Sequence, residues 1–362
     1  MAHALTLGAR GLGTVWPNPA VGCVIVADGR IVGRGWTRAG GRPHAETEAL
    51  AQAGGAARGA TAYVTLEPCA HHGMTPPCSD ALIEAGVARV VTATGDPDPK
   101  VSGEGHARLR RAGIEVTEGV LEPLARRAHR GFFTRLSAGR PMVTLKLATS
   151  FDGRIATASG ESRWITGPLA RRRVHAERMR HDLVLVGGGT ARADDPDLSV
   201  RGMGAVRQPV RCVLSRRLQV PLQGRLIGSV GTGPVWAIVD AAPGVVDAEA
   251  RARWEAQGGE IVAAAAAGDG RIDPGAALAA LGARGITRVF CEGGGALAAS
   301  LLAAGLVDEV LGFTAGVMLG AEGRPALGAL GIGALAEAPR FRLLESVSVG
   351  ADVLHRWERL ES

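Results

Sequence analysis

Apolar residues along this chain fall into two recurring patterns. In the first, they recur three or four positions apart, as at Ala2, Leu5, Ala9 and Leu12, which predicts a helix over residues 2–13. In the second, short continuous apolar runs rich in valine and isoleucine predict buried strands. The two patterns alternate along most of the chain. This alternation predicts an α/β fold in which helices cover sheets.

The first alternating region begins with a predicted hairpin that turns at Asp28-Gly29. The elements predicted in this region are the strands Val21–Val26, Arg30–Trp36, Ala60–Leu66, Arg89–Thr94 and Ile114–Glu118 and the helices His44–Ala53, Ser79–Ala85, Gly103–Ala112 and Pro123–Phe132. The pattern stops at Gly139-Arg140-Pro141, where glycine and proline break regular structure. A first domain is therefore predicted over residues 1–140.

A second alternating region starts at Pro141 and predicts a second domain over residues 141–362. Its predicted elements are the strands Val143–Ala148, Asp182–Val186, Val210–Leu214, Val235–Val239, Glu260–Ala264, Arg288–Cys291 and a last strand Glu309–Thr314, with helices from Pro168 to Arg180, over 275–283 and after Gly295 to Ala304. Two α/β domains are also what a length of 362 residues favours.

Composition and charge exclude several classes of protein. With 46% hydrophobic and 21% charged residues, the chain has the composition of a globular protein. Its net charge of +6 suits anionic ligands such as phosphates, but only 4% aromatic residues and no long basic run argue against nucleic acid. No apolar run of membrane-spanning length and no signal sequence is seen, and five widely spaced cysteines do not indicate a disulfide framework. We therefore expect a cytoplasmic protein.

One constellation of residues predicts a zinc site. His44, Cys69 and Cys78 can supply three ligands to a tetrahedral zinc, leaving the fourth position for water, whose pKa zinc lowers toward ~7. Glu46 can then move a proton from that water to a leaving amine. His-x-Glu followed by Pro-Cys and a second Cys is the signature of zinc nucleobase deaminases, although eight residues here separate the two cysteines.

Two other interpretations of this constellation stay open. The cysteines can be buried thiols that pack as small apolar side chains. Alternatively, the site can be a non-catalytic metal scaffold in which His71 or His72 supplies a fourth ligand and closes the coordination sphere. Nearby, Asn18 is flanked by two prolines, so its amide can contact a pyrimidine edge or can bond its own backbone in a turn. The segment Asp96-Pro97-Asp98-Pro99 is predicted to be a loop near this site.

A second site is predicted from two glycine triplets, at residues 187–189 and 293–295, each of which follows an apolar strand. Glycine lets backbone amides approach a phosphate closely, although each triplet alone is also typical of a plain tight turn. Neither triplet is a Gly-x-Gly-x-x-Gly fingerprint, so a standard Rossmann site is not predicted. The charged residues on nearby predicted loops favour a dinucleotide and a phosphorylated substrate; they are Lys146, Arg178, Arg201, Asp152, Asp194 and Glu292.

The chain resembles the bifunctional deaminase–reductases of riboflavin biosynthesis over nearly its whole length. In the first domain the resemblance rests on Pro17-Asn18-Pro19-Ala20-Val21-Gly22, His44-Ala45-Glu46, Thr65 to Gly73 and Thr75-Pro76-Pro77-Cys78. In the second it rests on Lys146 to Gly153, Gly160 to Thr166, Ala193-Asp194-Asp195-Pro196 and Glu292-Gly293-Gly294. The long spacing between the two cysteines is the form expected in this family.

This resemblance implies a cytidine-deaminase-like three-layer α/β/α domain followed by a dihydrofolate-reductase-like α/β domain. The first domain would deaminate 2,5-diamino-6-(5-phosphoribosylamino)pyrimidin-4-one with zinc, and the second would reduce the ribosyl group of the product to ribityl with NADPH. By the resemblance, substrate binding in the reductase is expected at Ser162, Arg178, Leu198, Arg201 and Glu292, and NADPH binding at Ala148, Trp164, Thr190, Asp194, Gly294, Gly295, Ala296 and Leu297. We also expect a homo-oligomer, either a dimer or a tetramer.

The reductase chemistry leaves the roles of three residues open. Hydride transfer to a sugar C1 requires an opened ring and a protonated imine, which Asp194 or Glu292 can stabilise, while Lys146 can position the acid or substrate oxygens. Lys146 can equally be a structural ion-pair partner of one of those carboxylates. A rival interpretation of the whole chain is a nucleobase or RNA-editing deaminase whose C-terminal domain binds substrate without reductase activity.

Overall fold

The computed structural model describes residues 1–71, 76–98 and 102–360. The chain divides into two compact units, Met1–Gly139 and Arg140–Ser362, and each unit has its own sheet. This division falls beside the break at Gly139-Arg140-Pro141. No helix in the described part of the chain is both long and apolar enough to cross a membrane.

The first unit is a five-stranded sheet covered by helices. Its elements are α1 Ala2–Gly8, β1 Gly22–Ala27, β2 Arg30–Trp36, α2 Ala45–Ala53, β3 Thr61–Val64, α3 Cys78–Glu84, β4 Arg89–Thr92, α4 Glu104–Arg111, β5 Glu115–Thr117 and α5 Glu122–Ala138. The strand order is β2-β1-β3-β4-β5, and β1 is antiparallel to both of its neighbours. Since β3, β4 and β5 are mutually parallel, β2 to β5 all point the same way and their carboxyl ends lie at one edge.

Two glycines on β2 let α2 pack directly on the sheet. A Cβ atom at Gly33 would lie 2.2 Å from the carbonyl oxygen of Ala49, and one at Gly35 would lie 2.0 Å from that of Ala45. No side chain fits in such a space, so only glycine allows the helix backbone to approach this closely. The contact fixes the N-terminus of α2 beside the carboxyl edge of the sheet.

The second unit contains a nine-stranded sheet and a short two-stranded one. Its elements are β6 Met142–Ser150, β7 Arg154–Ala156, α6 Pro168–Met179, β8 Leu183–Gly187, α7 Gly188–Asp194, β9 Val210–Leu214, α8 Arg225–Gly228, β10 Val235–Asp240, α9 Ala248–Ala256, β11 Glu260–Ala264, α10 Pro274–Ala283, β12 Arg288–Cys291, α11 Gly295–Ala303, β13 Glu309–Ala315, β14 Arg324–Pro325, β15 Phe341–Val349 and β16 Asp352–Arg359. The large sheet has the order β11-β10-β9-β8-β12-β6-β13-β16-β15, and β7 pairs with β14.

Seven strands of the large sheet, from β11 to β13, are parallel, whereas β16 and β15 are antiparallel to their neighbours. In the parallel part of the large sheet, buried carboxylates link the beginnings of neighbouring strands through hydrogen bonds. Asp182, just before β8, accepts hydrogen bonds from the backbone amides of Thr287 (2.7 Å) and Arg288 (2.9 Å) at the start of β12. Asp308 likewise accepts from Arg140 (2.8 Å) and from the amide of Val143 (2.8 Å). Each bond satisfies a charge that burial would otherwise leave uncompensated.

The two-domain α/β class predicted from the sequence is confirmed, but several element predictions are wrong. Glu309–Thr314 is not the last strand, because β15 and β16 follow it; their exposed faces give the hairpin a weak apolar pattern. Helix α9 was missed since it buries only Trp254. Helix α1 ends at Gly8 and a 3₁₀ turn over Ala9–Gly11 follows it, so the helical segment stops two residues short of the predicted residue 13. The triplet at 187–189 is not a plain turn, because α7 starts inside it. Helix α5 runs six residues past Phe132.

Separate cores in the two units predict that the units fold separately. A fragment of residues 1–139 should be soluble, show a cooperative thermal transition and bind one zinc ion, because its apolar core is built from its own strands and helices. Circular dichroism and metal analysis check this, with the full chain as the control. An aggregated fragment beside a stable full chain would contradict it.

Two candidate active sites

The three predicted zinc ligands lie together at the carboxyl edge of the first sheet. His44 is the N-cap of α2, Cys78 is the first residue of α3, and Cys69 lies in the loop after β3. The His44 Nδ1 atom is 3.2 Å from the Cys78 Sγ and 3.7 Å from the Cys69 Sγ. All three ligand atoms lie within 4.8 Å of one another. A tetrahedral zinc with bonds of about 2.0 Å to nitrogen and about 2.3 Å to sulfur requires such separations.

The electrostatic environment of Cys69 also favours the binding of a cation. Its sulfur receives a hydrogen bond from the Cys78 thiol and another from the Cys78 backbone amide (3.3 Å), and His44 lies beside it. These contacts lower the pKa of Cys69 to about 4, so the thiolate is the form that the site favours. Among the described residues no fourth ligand joins the cluster; His71 is exposed and lines the cavity beside the ligands, while His72, Gly73 and Thr75 lie outside the described residues.

Glu46 lies in the first turn of α2, beside the ligands. Its residue is only 4% exposed, and burial raises the pKa of its carboxyl to about 7 despite the nearby His44. A carboxyl group with a pKa near neutrality can both accept and release a proton at physiological pH.

Glu46, His44 and Cys69 line a cavity of about 280 Å³, which Asn18 also lines. The Asn18 Nδ2 atom donates to the carbonyl oxygen of Val15 at 3.4 Å, so the local turn bond that the sequence left open is present. Asn18 therefore makes a backbone bond and faces the cavity at the same time.

A buried glutamate, Glu67, holds part of the lining of this cavity in place. The Glu67 carboxylate accepts hydrogen bonds from four backbone amides, those of Asp96 (3.3 Å), Gly103 (3.0 Å), Gly105 (2.9 Å) and His106 (3.3 Å). These bonds fasten the loop after β4, which was predicted to lie near the site and does. Burial raises the pKa of Asp96 in that loop to about 6. Pro99 of this loop lies outside the described residues.

Sequence reasoning assigned no role in this cavity to Glu67, Arg42 or Arg135, all of which line it. Glu67 could have been recognised from the sequence, because it directly precedes Pro68-Cys69 in the metal motif. Arg135 could not, since the predicted helix stopped at Phe132.

The second site centres on three charged side chains from different elements. The Arg178 guanidinium, on α6, contacts both carboxylate oxygens of Glu292, at 2.5 Å and 3.1 Å. Lys146, on β6, has its Nζ 4.0 Å from Glu292 Oε2, so the ion pair left open by the sequence is present. Burial alone would raise the pKa of Glu292, but the charges of Arg178 and Lys146 outweigh it and lower that pKa. Burial lowers the pKa of Lys146.

These three residues line a cavity of about 440 Å³ at the carboxyl ends of β6 and β12. Other predicted substrate and cofactor residues line it as well, namely Ala148, Ser162, Trp164, Asp194, Leu198 and Arg201. Six cationic side chains face three acidic ones around this cavity, a balance that suits phosphate groups. Residues missed by the sequence are Arg163, Arg171, His175, Asp197 and Arg225.

Arg201 and Leu198 belong to a constrained loop beside this cavity. Leu198 has a φ angle of 59°, a left-handed conformation that is rare for a bulky residue. The Asp197 carboxylate stabilises the loop by accepting from the Ser199 amide (2.8 Å), and it also pairs with Arg201 (2.6 Å). The Arg201 side chain is 60% exposed, and its backbone amide donates to His175 Nδ1 at 3.2 Å.

Five predicted cofactor residues do not line this cavity and form a separate group: Thr190, Gly294, Gly295, Ala296 and Leu297. The Gly294 amide, at the N-cap of α11, donates to Thr190 Oγ1 at 3.1 Å, which connects the ends of β8 and β12. A Cβ atom at Gly293 would lie 2.7 Å from the Leu297 side chain, so a larger residue there would require Leu297 to move.

Comparison with known protein families gives two matches that divide the chain. The RibD C-terminal domain matches residues 141–355, and the cytidine and deoxycytidylate deaminase zinc-binding region matches residues 1–94. The riboflavin biosynthesis protein RibD of Escherichia coli is 44% identical over 355 residues, which are 98% of this chain and 96% of the relative. RibD of Aquifex aeolicus is 39% identical over 363 residues, which are 99% and 97% of the two chains.

Solved structures show the same similarity. RibD of Acinetobacter baumannii has a TM-score of 0.87 at 39% identity, covering 99% of this chain and 98% of that one. A diaminohydroxyphosphoribosylaminopyrimidine deaminase/5-amino-6-(5-phosphoribosylamino)uracil reductase of Thermotoga maritima has a TM-score of 0.86 at 35% identity, covering 99% and 97%. The chain therefore belongs to the RibD family, the bifunctional deaminase–reductases of riboflavin biosynthesis.

Proposed function

We propose that residues 1–140 deaminate 2,5-diamino-6-(5-phosphoribosylamino)pyrimidin-4-one with zinc and that residues 141–362 reduce the ribosyl side chain of the product to ribityl with NADPH. The observation that carries the proposal is the convergence of His44, Cys69 and Cys78 on one point beside the buried Glu46. The rival, a nucleobase or RNA deaminase without reductase activity, does not account for the RibD C-terminal match over 141–355.

In the proposed deaminase, His44, Cys69 and Cys78 hold one zinc ion per chain. Zinc in such a site supplies Lewis-acid chemistry that lowers the pKa of water toward ~7. Glu46 takes one proton from the attacking water and delivers it to the amino group of the pyrimidine, which leaves as ammonia while the ring carbon gains oxygen. The burial of Glu46 keeps competing solvent from its carboxyl group, and Asn18 orients the pyrimidine edge.

In the proposed reductase, Glu292 stabilises the protonated imine that accepts hydride at the former sugar C1. Its lowered pKa supports this role, because an anionic carboxylate stabilises a cationic substrate. Arg178 orients Glu292 through two contacts, and Lys146 positions the substrate oxygens. Asp194 is the alternative acid, but its side chain is exposed.

The proposed NADPH site combines the second cavity with the glycines at the ends of β8 and β12. NADPH supplies hydride when it is bound. Helix α11 begins at Gly295, beside Thr190, so its N-terminal amides favour a phosphate at the segment 294–297, and Ala148, Trp164 and Asp194 line the second cavity. The partners are therefore small molecules, with neither nucleic acid nor membrane among them. Five free cysteines fit the proposed cytoplasmic location.

Replacing Glu46 should separate proton transfer from metal binding. Glu46→Gln should keep one zinc per chain but slow deamination by about 10²- to 10⁴-fold, because the ligands stay and the proton carrier is lost. Ammonia release and zinc analysis check this. The matched control is Glu48→Gln on the same helix, whose carboxylate pairs with Arg38 and should be dispensable for deamination. Wild-type turnover by a zinc-loaded Glu46→Gln protein would contradict the role.

Replacing Arg201 tests the predicted substrate site of the reductase. Arg201→Lys should raise the reductase KM for the phosphorylated substrate about ten-fold, because lysine cannot bind phosphate through two parallel bonds and solvent screens the exposed side chain. The KM for NADPH and the rate of deamination should stay unchanged. Arg271→Lys, an exposed change away from both cavities, is the control. A shift in the NADPH KM alone would place Arg201 at the cofactor.

We propose that the chain forms a homo-oligomer through the edge of its large sheet. Strand β15 ends the sheet, and Leu343, Val347 and Val353 are exposed on β15 and β16, where an unpaired strand edge can pair with another chain. Light scattering should show a dimer or tetramer that Leu343→Lys with Val353→Lys dissociates. Leu335→Lys, an exposed change outside these strands, should leave the mass unaltered. A monomeric parent protein would refute the proposal.

A further inference from the structure

The deaminase cavity contains two arginines that neither the zinc chemistry nor the proposed proton transfer uses. Arg42 and Arg135 line the same cavity as His44 and Glu46. We infer that Arg42 and Arg135 form a phosphate subsite that binds the ribose 5-phosphate of the deaminase substrate. This inference rests on the proposed function, since it assigns a binding role within that site.

Arg42 is held close to the metal ligands by the chain itself. It lies two residues before His44, in extended backbone with φ −147° and ψ 148°, and it is half-buried. A side chain in this position can reach a ligand whose ring lies at the zinc site.

Arg135 reaches the cavity from another element, the last turn of α5. Phe132, Arg135 and Leu136 are three and four residues apart, so they lie on one face of the helix, and all three line the cavity. Arg135 is half-buried, as an arginine is when its apolar stem packs on the protein and its charged head faces water or a ligand. The helix extends to Ala138, which is why this face reaches the site.

The charges around the cavity give the substrate one orientation. The acidic lining residues are Glu46, Glu67, Asp96 and Asp98, and a phosphate dianion near them would be repelled. The arginines supply the positive part of the lining, and a guanidinium can donate two parallel hydrogen bonds to phosphate oxygens. The pyrimidine therefore lies at His44 and Glu46, with its phosphate at Arg42 and Arg135.

Each active site would then bind the phosphate of its substrate with its own arginines. The sequence indicated only Arg178 and Arg201, both in the second unit. Both are paired with acidic side chains there, Arg178 with Glu292 and Arg201 with Asp197. In the first unit, recognition comes from residues outside the zinc motif.

Deamination by the full chain, measured with the phosphorylated pyrimidine and with its dephosphorylated counterpart, tests the inference. Arg42→Gln with Arg135→Gln should raise the deaminase KM for the phosphorylated substrate about ten- to a hundred-fold and leave kinetics with the dephosphorylated one unchanged. Ribose 5-phosphate should inhibit the parent protein competitively and the double variant at least ten-fold more weakly. Arg126→Gln, on an exposed face of α5, is the matched control and should behave as the parent.

Folding and the role of charge are checked separately. Zinc content and reductase kinetics of the double variant should match those of the parent, and Arg135→Lys should recover part of the lost affinity. An unchanged KM for the phosphorylated substrate, or an equal loss with both substrates, would overturn the phosphate subsite alone. A parent protein without any deamination would instead overturn the proposed function and the subsite together.

Discussion

The directions of the strands determine where chemistry can occur in both units. In the first sheet β2 to β5 point the same way, so the segments after β2 and β3 bring His44 and Cys69 to one edge. In the second, β6, β8 and β12 are parallel, so Lys146 and Glu292 become neighbours. Ligands of α/β proteins bind outside the carboxyl ends of the strands, where loops can differ without disturbing the core. Each site is a consequence of this shared geometry.

Buried charges are the second constraint, because each one must be compensated where it lies. Glu67 accepts four hydrogen bonds from backbone amides and thereby fixes the loop after β4, which lines the cavity of the zinc site. Glu292 accepts a hydrogen bond from Arg178 and lies beside Lys146. These two positive charges keep its carboxylate anionic in the cavity where the proposed cationic intermediate forms. The same compensation that stabilises these side chains also fixes their positions for binding, so stability and function depend on the same contacts.

The sequence predicted the α/β class and the zinc cluster because their signals are local: periodicity, and a motif whose spacing is set by chemistry. It could not predict what depends on distant partners. The hairpin of β15 and β16 is only partly buried, so its alternation is weak. Arg135 gains its position from the length of α5, and Glu67 from amides more than 25 residues away. Thr190 and Gly294 were expected at the cofactor, but only the fold shows that they contact each other.

The central claim is that one chain holds two independent active sites, of which only the first requires zinc. The most direct measurement follows ammonia release and NADPH oxidation after zinc has been removed with a chelator. The account predicts that deamination disappears, that NADPH oxidation with the deaminated substrate continues, and that added zinc restores deamination. Deamination that persists in zinc-free protein, or reduction that is lost together with it from a folded protein, would contradict the account.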